Sequence, residues 1–123
     1  MTKDVRTATL QSAAASGNGT AMDVAGYSTV AVGIIGSTGA DRVATFEGSQ
    51  DGTNYVAIMA QNKGTLAQAT TATVSSTTPQ LWVASVAGLR KFRVPLSGGA
   101  TGTATITATA VQGGFPGWPV PAA

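Results

Sequence analysis

The decapeptide GTATITATAV, residues 102–111, leaves the chain little choice of fold. Thr103, Thr105, Thr107 and Thr109 fall on one side of a two-residue repeat, and Ala104, Ile106, Ala108 and Ala110 fall on the other. Successive side chains of a strand point to opposite faces, so a period of two sustained over this length reads as an amphipathic strand and leaves little room for a helix. The same alternation recurs upstream. In YSTVAVGII, residues 27–35, Val30, Val32 and Ile34 share a face, with Ala31 and Gly33 behind them. In LRKFRVPLS, residues 89–97, Phe92, Val94 and Leu96 point inward while Lys91 and Arg93 point out. RVATFEGS, NYVAIMA and PQLWVASVA complete the clear strands. VRTATLQSA, GTAMDVAG and LAQATTATVSS are weaker candidates, and ATLQSAAASG, residues 8–17, could instead form a short helix by propensity.

Turn chemistry separates these runs. Gly-Asn-Gly at 17–19, Ser-Thr-Gly-Ala-Asp at 37–41, Asn-Lys-Gly at 62–64 and Ser-Gly-Gly-Ala-Thr-Gly at 97–102 all supply residues that tolerate positive φ. About eight or nine short strands spaced this way predict an all-β fold, an antiparallel β-sandwich of jelly-roll or immunoglobulin-like type. Pro95 has no N–H to give a ladder, so its strand lies at an edge or bends near its end. Beyond Val111 the alternation stops. The chain divides into a sandwich domain, residues 1–112, and an extended Pro-rich tail, residues 113–123, that carries no charge.

Only 10% of the residues are charged, against roughly 25% in ordinary soluble domains, so Thr, Ser, Asn, Gln and backbone must cover the surface. A weakly charged surface suits a protein packed into an assembly better than a crowded monomer. The absence of His and Cys excludes Ser-His and Cys-His catalysis and thiolate metal sites. Seven basic residues spread along the chain make a poor phosphate footprint, and no run is long and apolar enough for a membrane span, so neither nucleic acid nor membrane is an expected partner. The opening MTKDVRTATL lacks the apolar core of a secretory signal, which reads as a product made in the cytoplasm from Met1.

The most polar stretch is FEGSQDGTNYVAI, residues 46–58, with two of the five carboxylates. Glu47, Ser49, Asp51 and Asn54 could in principle hold Ca²⁺, but the spacing of a Ca²⁺ loop is missing. Glu47 and Asp51 could pose as paired glycosidase carboxylates, yet such pairs come from separate strands lining a cleft. Asp51-Gly52 between two alternating segments is better explained as a tight turn whose Asp bonds back to the backbone. The expectation is a loop without catalytic residues, metal or cofactor.

This loop, followed by LWVASVAGLRKFRV and then the Thr-rich strand, resembles a pattern of small tailed-bacteriophage virion proteins. That pattern runs F-x-G-S-x-D-G-x-x-W, an aromatic strand, a Gly and an Arg-rich strand, here Gly88, Arg90 and Arg93, and then S-G-x-x-x-V-x-V. It spans residues 44–111, with Tyr55 where Trp is usual. The loop also looks like the Asp-box turn of propeller proteins but departs from it, because Asp51 and Gly52 are adjacent, and one copy does not make a propeller.

The resemblance implies a non-enzymatic virion protein, most specifically a capsid decoration protein bound to the outside of the head. Its partners would be the major capsid protein, copies of itself, or both, in a homo-oligomer or in many copies per particle. The alternative is a tail-fibre or baseplate module reading host glycans through Trp82 and Tyr55. Candidate contact residues are Arg90 and Arg93, with Lys91 between them, and Phe115, Trp118 and Val120 of the tail. That tail either docks on a neighbouring subunit or the shell, or folds back over its own sheet. Trp82, inside a strand, is expected in the core or at its rim.

Overall fold

The computed structural model describes residues 5–112, so the tail and its candidates Phe115, Trp118 and Val120 lie outside the described residues. Along the described chain run β1 (Val5–Ala14), β2 (Met22–Asp23), β3 (Thr29–Gly36), β4 (Asp41–Thr45), β5 (Glu47–Ser49), β6 (Val56–Ala57), β7 (Ala60–Asn62), β8 (Gln68–Ala69), β9 (Thr71–Ser75), β10 (Gln80–Ser85), β11 (Lys91–Arg93), β12 (Leu96–Thr101) and β13 (Ala104–Val111). They form an all-β, sandwich-like fold of three sheets, ordered β1-β13-β3-β10-β7-β8, β2-β11-β5-β6 and β12-β4-β9. Each registered pair is antiparallel.

The strands outnumber the eight or nine expected because several continuous runs are cut in two as they change sheet. Residues 42–49 divide into β4 and β5, residues 54–62 into β6 and β7, and residues 89–101 into β11 and β12. The two smaller sheets are halves of one layer. Ala44 faces Leu96 and Glu47 faces Arg93, so one register runs through both halves and sets Thr45 opposite Pro95. Thr45 N–H still donates to Pro95 C=O at 3.0 Å, but Pro95 has no N–H to return, and the ladder breaks there. The bend expected at Pro95 is thus the seam of the layer.

Phe46 sits at that seam, fully buried. Its N–H donates to Thr70 C=O, between β8 and β9, and its C=O accepts from Ile58 N–H, between β6 and β7. At both of these places the chain crosses from one layer to the other. On the far side, the buried Gln11 of β1 donates through Nε2 to the carbonyls of Val94 (2.9 Å) and Gly17 (3.0 Å). Gln11 therefore satisfies a carbonyl beside the proline and ties the six-stranded sheet to the kinked layer.

Between the layers lies one hydrophobic cluster. Val30, Val32 and Ile34 of β3 and Ala104, Ile106, Ala108 and Ala110 of β13 are buried in it, as the two-residue period requires. Phe92, Val94 and Leu96 meet them from the opposite layer. The helix that propensity allowed over residues 8–17 does not form. β1 pairs from Val5 to Ala14 with β13, with register shifts around Gln11, and tertiary pairing overrides a weak local preference.

Candidate functional site

The polar loop closes the end of β5. Gly52, at φ +82°, makes the turn that an L side chain would resist. Asp51 Oδ1 accepts from the N–H groups of Thr53 and Asn54, each at 2.8 Å, and from Ser49 Oγ at 3.0 Å. Its Oδ2 accepts from Asn54 Nδ2 at 2.7 Å. Ser49 Oγ in turn accepts from Gly52 N–H at 2.9 Å. The N–H of Asn54 first, then that of Thr53, then the side chains of Asn54 and Ser49, hold the Asp51 carboxyl well below the usual carboxylate range. This is the turn chemistry expected of Asp51-Gly52: both carboxylate oxygens are occupied by the loop's own donors.

Glu47, the other acid of the loop, pairs with Arg93 across the β5–β11 ladder, Nε to Oε1 at 2.8 Å. The same guanidinium lies over the ring of Tyr55, 3.7 Å from its centroid. Arg93, a candidate partner contact, thus spends its planar group within the chain, between an acid and an aromatic face. Arg90 differs. Its N–H donates to Ser49 C=O and its C=O accepts from Val24 N–H, which fixes the backbone and leaves the side chain exposed. Among the described residues, no three acids gather as a metal site would require.

Trp82 and Tyr55, the candidate glycan contacts, do not form one platform. Trp82 is buried, its ring tilted 44° against Phe46 with centroids 5.1 Å apart, and its Nε1–H donates to Gln80 Oε1 at 2.9 Å. Tyr55 is half-buried with Arg93 on its face.

Sequence reasoning missed a set of exposed apolar residues: Val56 on β6, Met59 just beyond it, and Leu66 in the turn between β7 and β8. Leu66 adopts φ +64°, and its N–H donates to Asn62 C=O at 2.7 Å. That region of φ is unfavourable for a bulky residue. The Asn62-Lys63-Gly64 turn was legible, but nothing in the local pattern marks the following leucine as outward.

The frame carrying these residues can be placed. The XepA family model matches residues 4–110. The chain belongs to the XepA family. Two solved structures share the XepA-family frame. The SPBc2 prophage-derived protein YomS superposes with a TM-score of 0.79 at 21% identity, over 91% of this chain and 96% of YomS. The PBSX exported protein XepA superposes with a TM-score of 0.81 at 18% identity, over 91% of this chain and 39% of XepA. The chain therefore spans well under half of XepA and nearly all of YomS, and at these identities the likeness shows the fold. No curated relative matches the sequence.

Proposed function

We propose that this chain is a structural component of a bacteriophage particle, and specifically a decoration protein that binds the outside of the head and stabilises it. The observation that carries the reading is the match of the sandwich to 96% of YomS, a prophage-derived protein, within a family shared with a PBSX exported protein. The polar loop supports the non-enzymatic part, because its carboxylates are consumed by a turn and by an ion pair. In this reading many copies bridge neighbouring capsid subunits, each copy burying apolar area and raising the free energy needed to part them. Arg90 and the exposed Val56, Met59 and Leu66 are the proposed contacts, and the major capsid protein or further copies of the chain are the proposed partners.

Antibody-gold labelling of intact particles tests the location, with signal expected over the head. Mixing the purified protein with empty capsids tests the partner, with saturable co-sedimentation expected. Label confined to the tail, together with binding on a glycan array and none to capsids, would replace the decoration reading with host recognition.

A further inference from the structure

The chain carries three asparagines, Asn18, Asn54 and Asn62, and one Asp-Gly pair, Asp51-Gly52. At each of them the next residue's backbone N–H can attack the side-chain carbonyl carbon and close a succinimide ring. That reaction needs an N–H with no acceptor, a side chain free to swing onto it, and little bulk on the attacking residue.

All but one of these places are locked. Lys63 N–H, the nucleophile for Asn62, donates to Leu81 C=O at 2.8 Å, and Asn62 Oδ1 accepts from the N–H groups of Gly64 (2.8 Å) and Thr65 (3.2 Å). Asn54 Nδ2 donates to Asp51 Oδ2 at 2.7 Å, and the half-buried Tyr55 follows it. Gly52 N–H donates to Ser49 Oγ, and both oxygens of Asp51 are occupied by the loop.

Asn18, in the Gly-Asn-Gly turn, is the exception. Residues 15–20 are exposed. Among the described residues, none accepts from the Gly19 N–H and none pairs with the Asn18 carboxamide. Gly19 sits at φ +68°, and a Cβ there would run into the Leu10 carbonyl, so no bulkier, slower residue fits. The fold thus requires at position 19 the residue that leaves Asn18 most open to attack. The turn is pinned on both sides. Gly17 and Leu96 exchange backbone hydrogen bonds at 3.0 and 2.9 Å, Gly17 C=O also accepts from Gln11 Nε2, and Thr20 N–H donates to Leu10 C=O at 2.9 Å.

We propose that Asn18 is a site of self-catalysed deamidation. Gly19 N bonds to Asn18 Cγ, the Cγ–Nδ2 bond breaks, and Nδ2 leaves as ammonia with the proton that Gly19 N gives up. Water then opens the ring. Cleavage of the new N–Cγ bond leaves aspartate, and cleavage of the bond to the Asn18 backbone carbonyl carbon leaves isoaspartate, with the chain running through Cγ. One water is consumed and one ammonia released. Each conversion lowers the formal charge of +2 by one. The isoaspartyl product also adds a methylene to the backbone between the anchors at Gly17 and Thr20. It thereby disturbs the Gly17 carbonyl that Gln11 holds together with that of Val94, beside the seam.

The purified full chain is incubated in heavy-oxygen water at neutral and mildly alkaline pH, and residues 18, 51, 54 and 62 are followed by peptide mapping. Asn18 is expected to convert at least about tenfold faster than Asn54 or Asn62, because an exposed turn opens more readily than hydrogen-bonded ones. Its products are expected to include both aspartate and isoaspartate carrying the heavy oxygen, and to form faster at the higher pH, where hydroxide removes the Gly19 proton. Residue 51 is expected to form isoaspartate in urea and not in the folded chain. After ageing, the parent is expected to melt at a lower temperature than when fresh, and Asn18→Gln is expected to keep its melting temperature. An Asn18 that stays intact, converts no faster than the other two asparagines, or yields aspartate alone would overturn the proposal. So would equal isomerisation of residue 51 with and without urea, or a converted parent that melts like the fresh one.

Discussion

Asp51 spends its charge inside the loop that carries it. Because donors from residues 49–54 favour the ionised form, its folded pKa lies below the unfolded value of about 3.9. The stability it contributes is fully present above the unfolded value and is lost as pH falls toward and through the folded one. Asp51→Asn is therefore expected to melt at a lower temperature than the parent at pH 7, and the gap is expected to narrow as pH drops below about 4. Thermal melts from neutral to strongly acid pH check this, and parallel curves would refute it. Arg93 sits between Glu47 and Tyr55, with the two charged side chains about a fifth exposed. A double-mutant cycle with Arg93→Ala and Glu47→Ala is expected to give a coupling of about 1 kcal/mol in urea unfolding. The role of Asp51 was legible because donor and acceptor are neighbours in sequence. The occupation of Arg93 was not, because Glu47 lies 46 residues away and only the β5–β11 register brings them together.

Several strands here change sheet part-way along, and the points of change converge on Phe46. Its N–H and C=O hold two of the crossovers between layers, its ring packs on Trp82, and its neighbour Thr45 faces the proline that cuts the ladder. Phe46→Ala removes a buried ring where collapse is hindered on several sides, and is expected to cost about 3–5 kcal/mol. Phe46→Leu keeps most of the volume and is expected to cost less, about 1–2 kcal/mol. Chemical denaturation of both variants checks the order, and equal costs would mean that the seam does not depend on the ring. Gln11→Leu removes a bond to Val94 C=O and leaves that carbonyl buried, with an expected loss of about 1–3 kcal/mol measured in the same way. Alternation placed the inward faces of β3, β11, β12 and β13 correctly. It placed residues 8–17 only weakly, because Ala-rich sequence is compatible with helix as well as strand and the choice rests on pairing with β13.

One core cluster reaches all three sheets, and β1 pairs with β13, so the two ends of the described chain are joined. Unfolding is expected in a single cooperative transition, with coincident curves from Trp fluorescence and far-UV circular dichroism. Pairing across most of the chain must precede much of the burial, so refolding is expected in the millisecond-to-second range by stopped flow. Separate transitions for the two layers would show that the seam at Phe46 and Pro95 divides the molecule energetically. The sequence by itself determined the all-β class, the two faces of β3, β11, β12 and β13, the turns and the internal role of the Asp51 loop. Each of these follows from a period of two or from groups a few residues apart, and needs no knowledge of the partner strand. Only the tertiary structure decided which strands pair, where they change sheet, and that Gln11 serves the kink at Pro95. A strand's alternation is the same whichever neighbour it meets, and that neighbour is chosen by contacts tens of residues away.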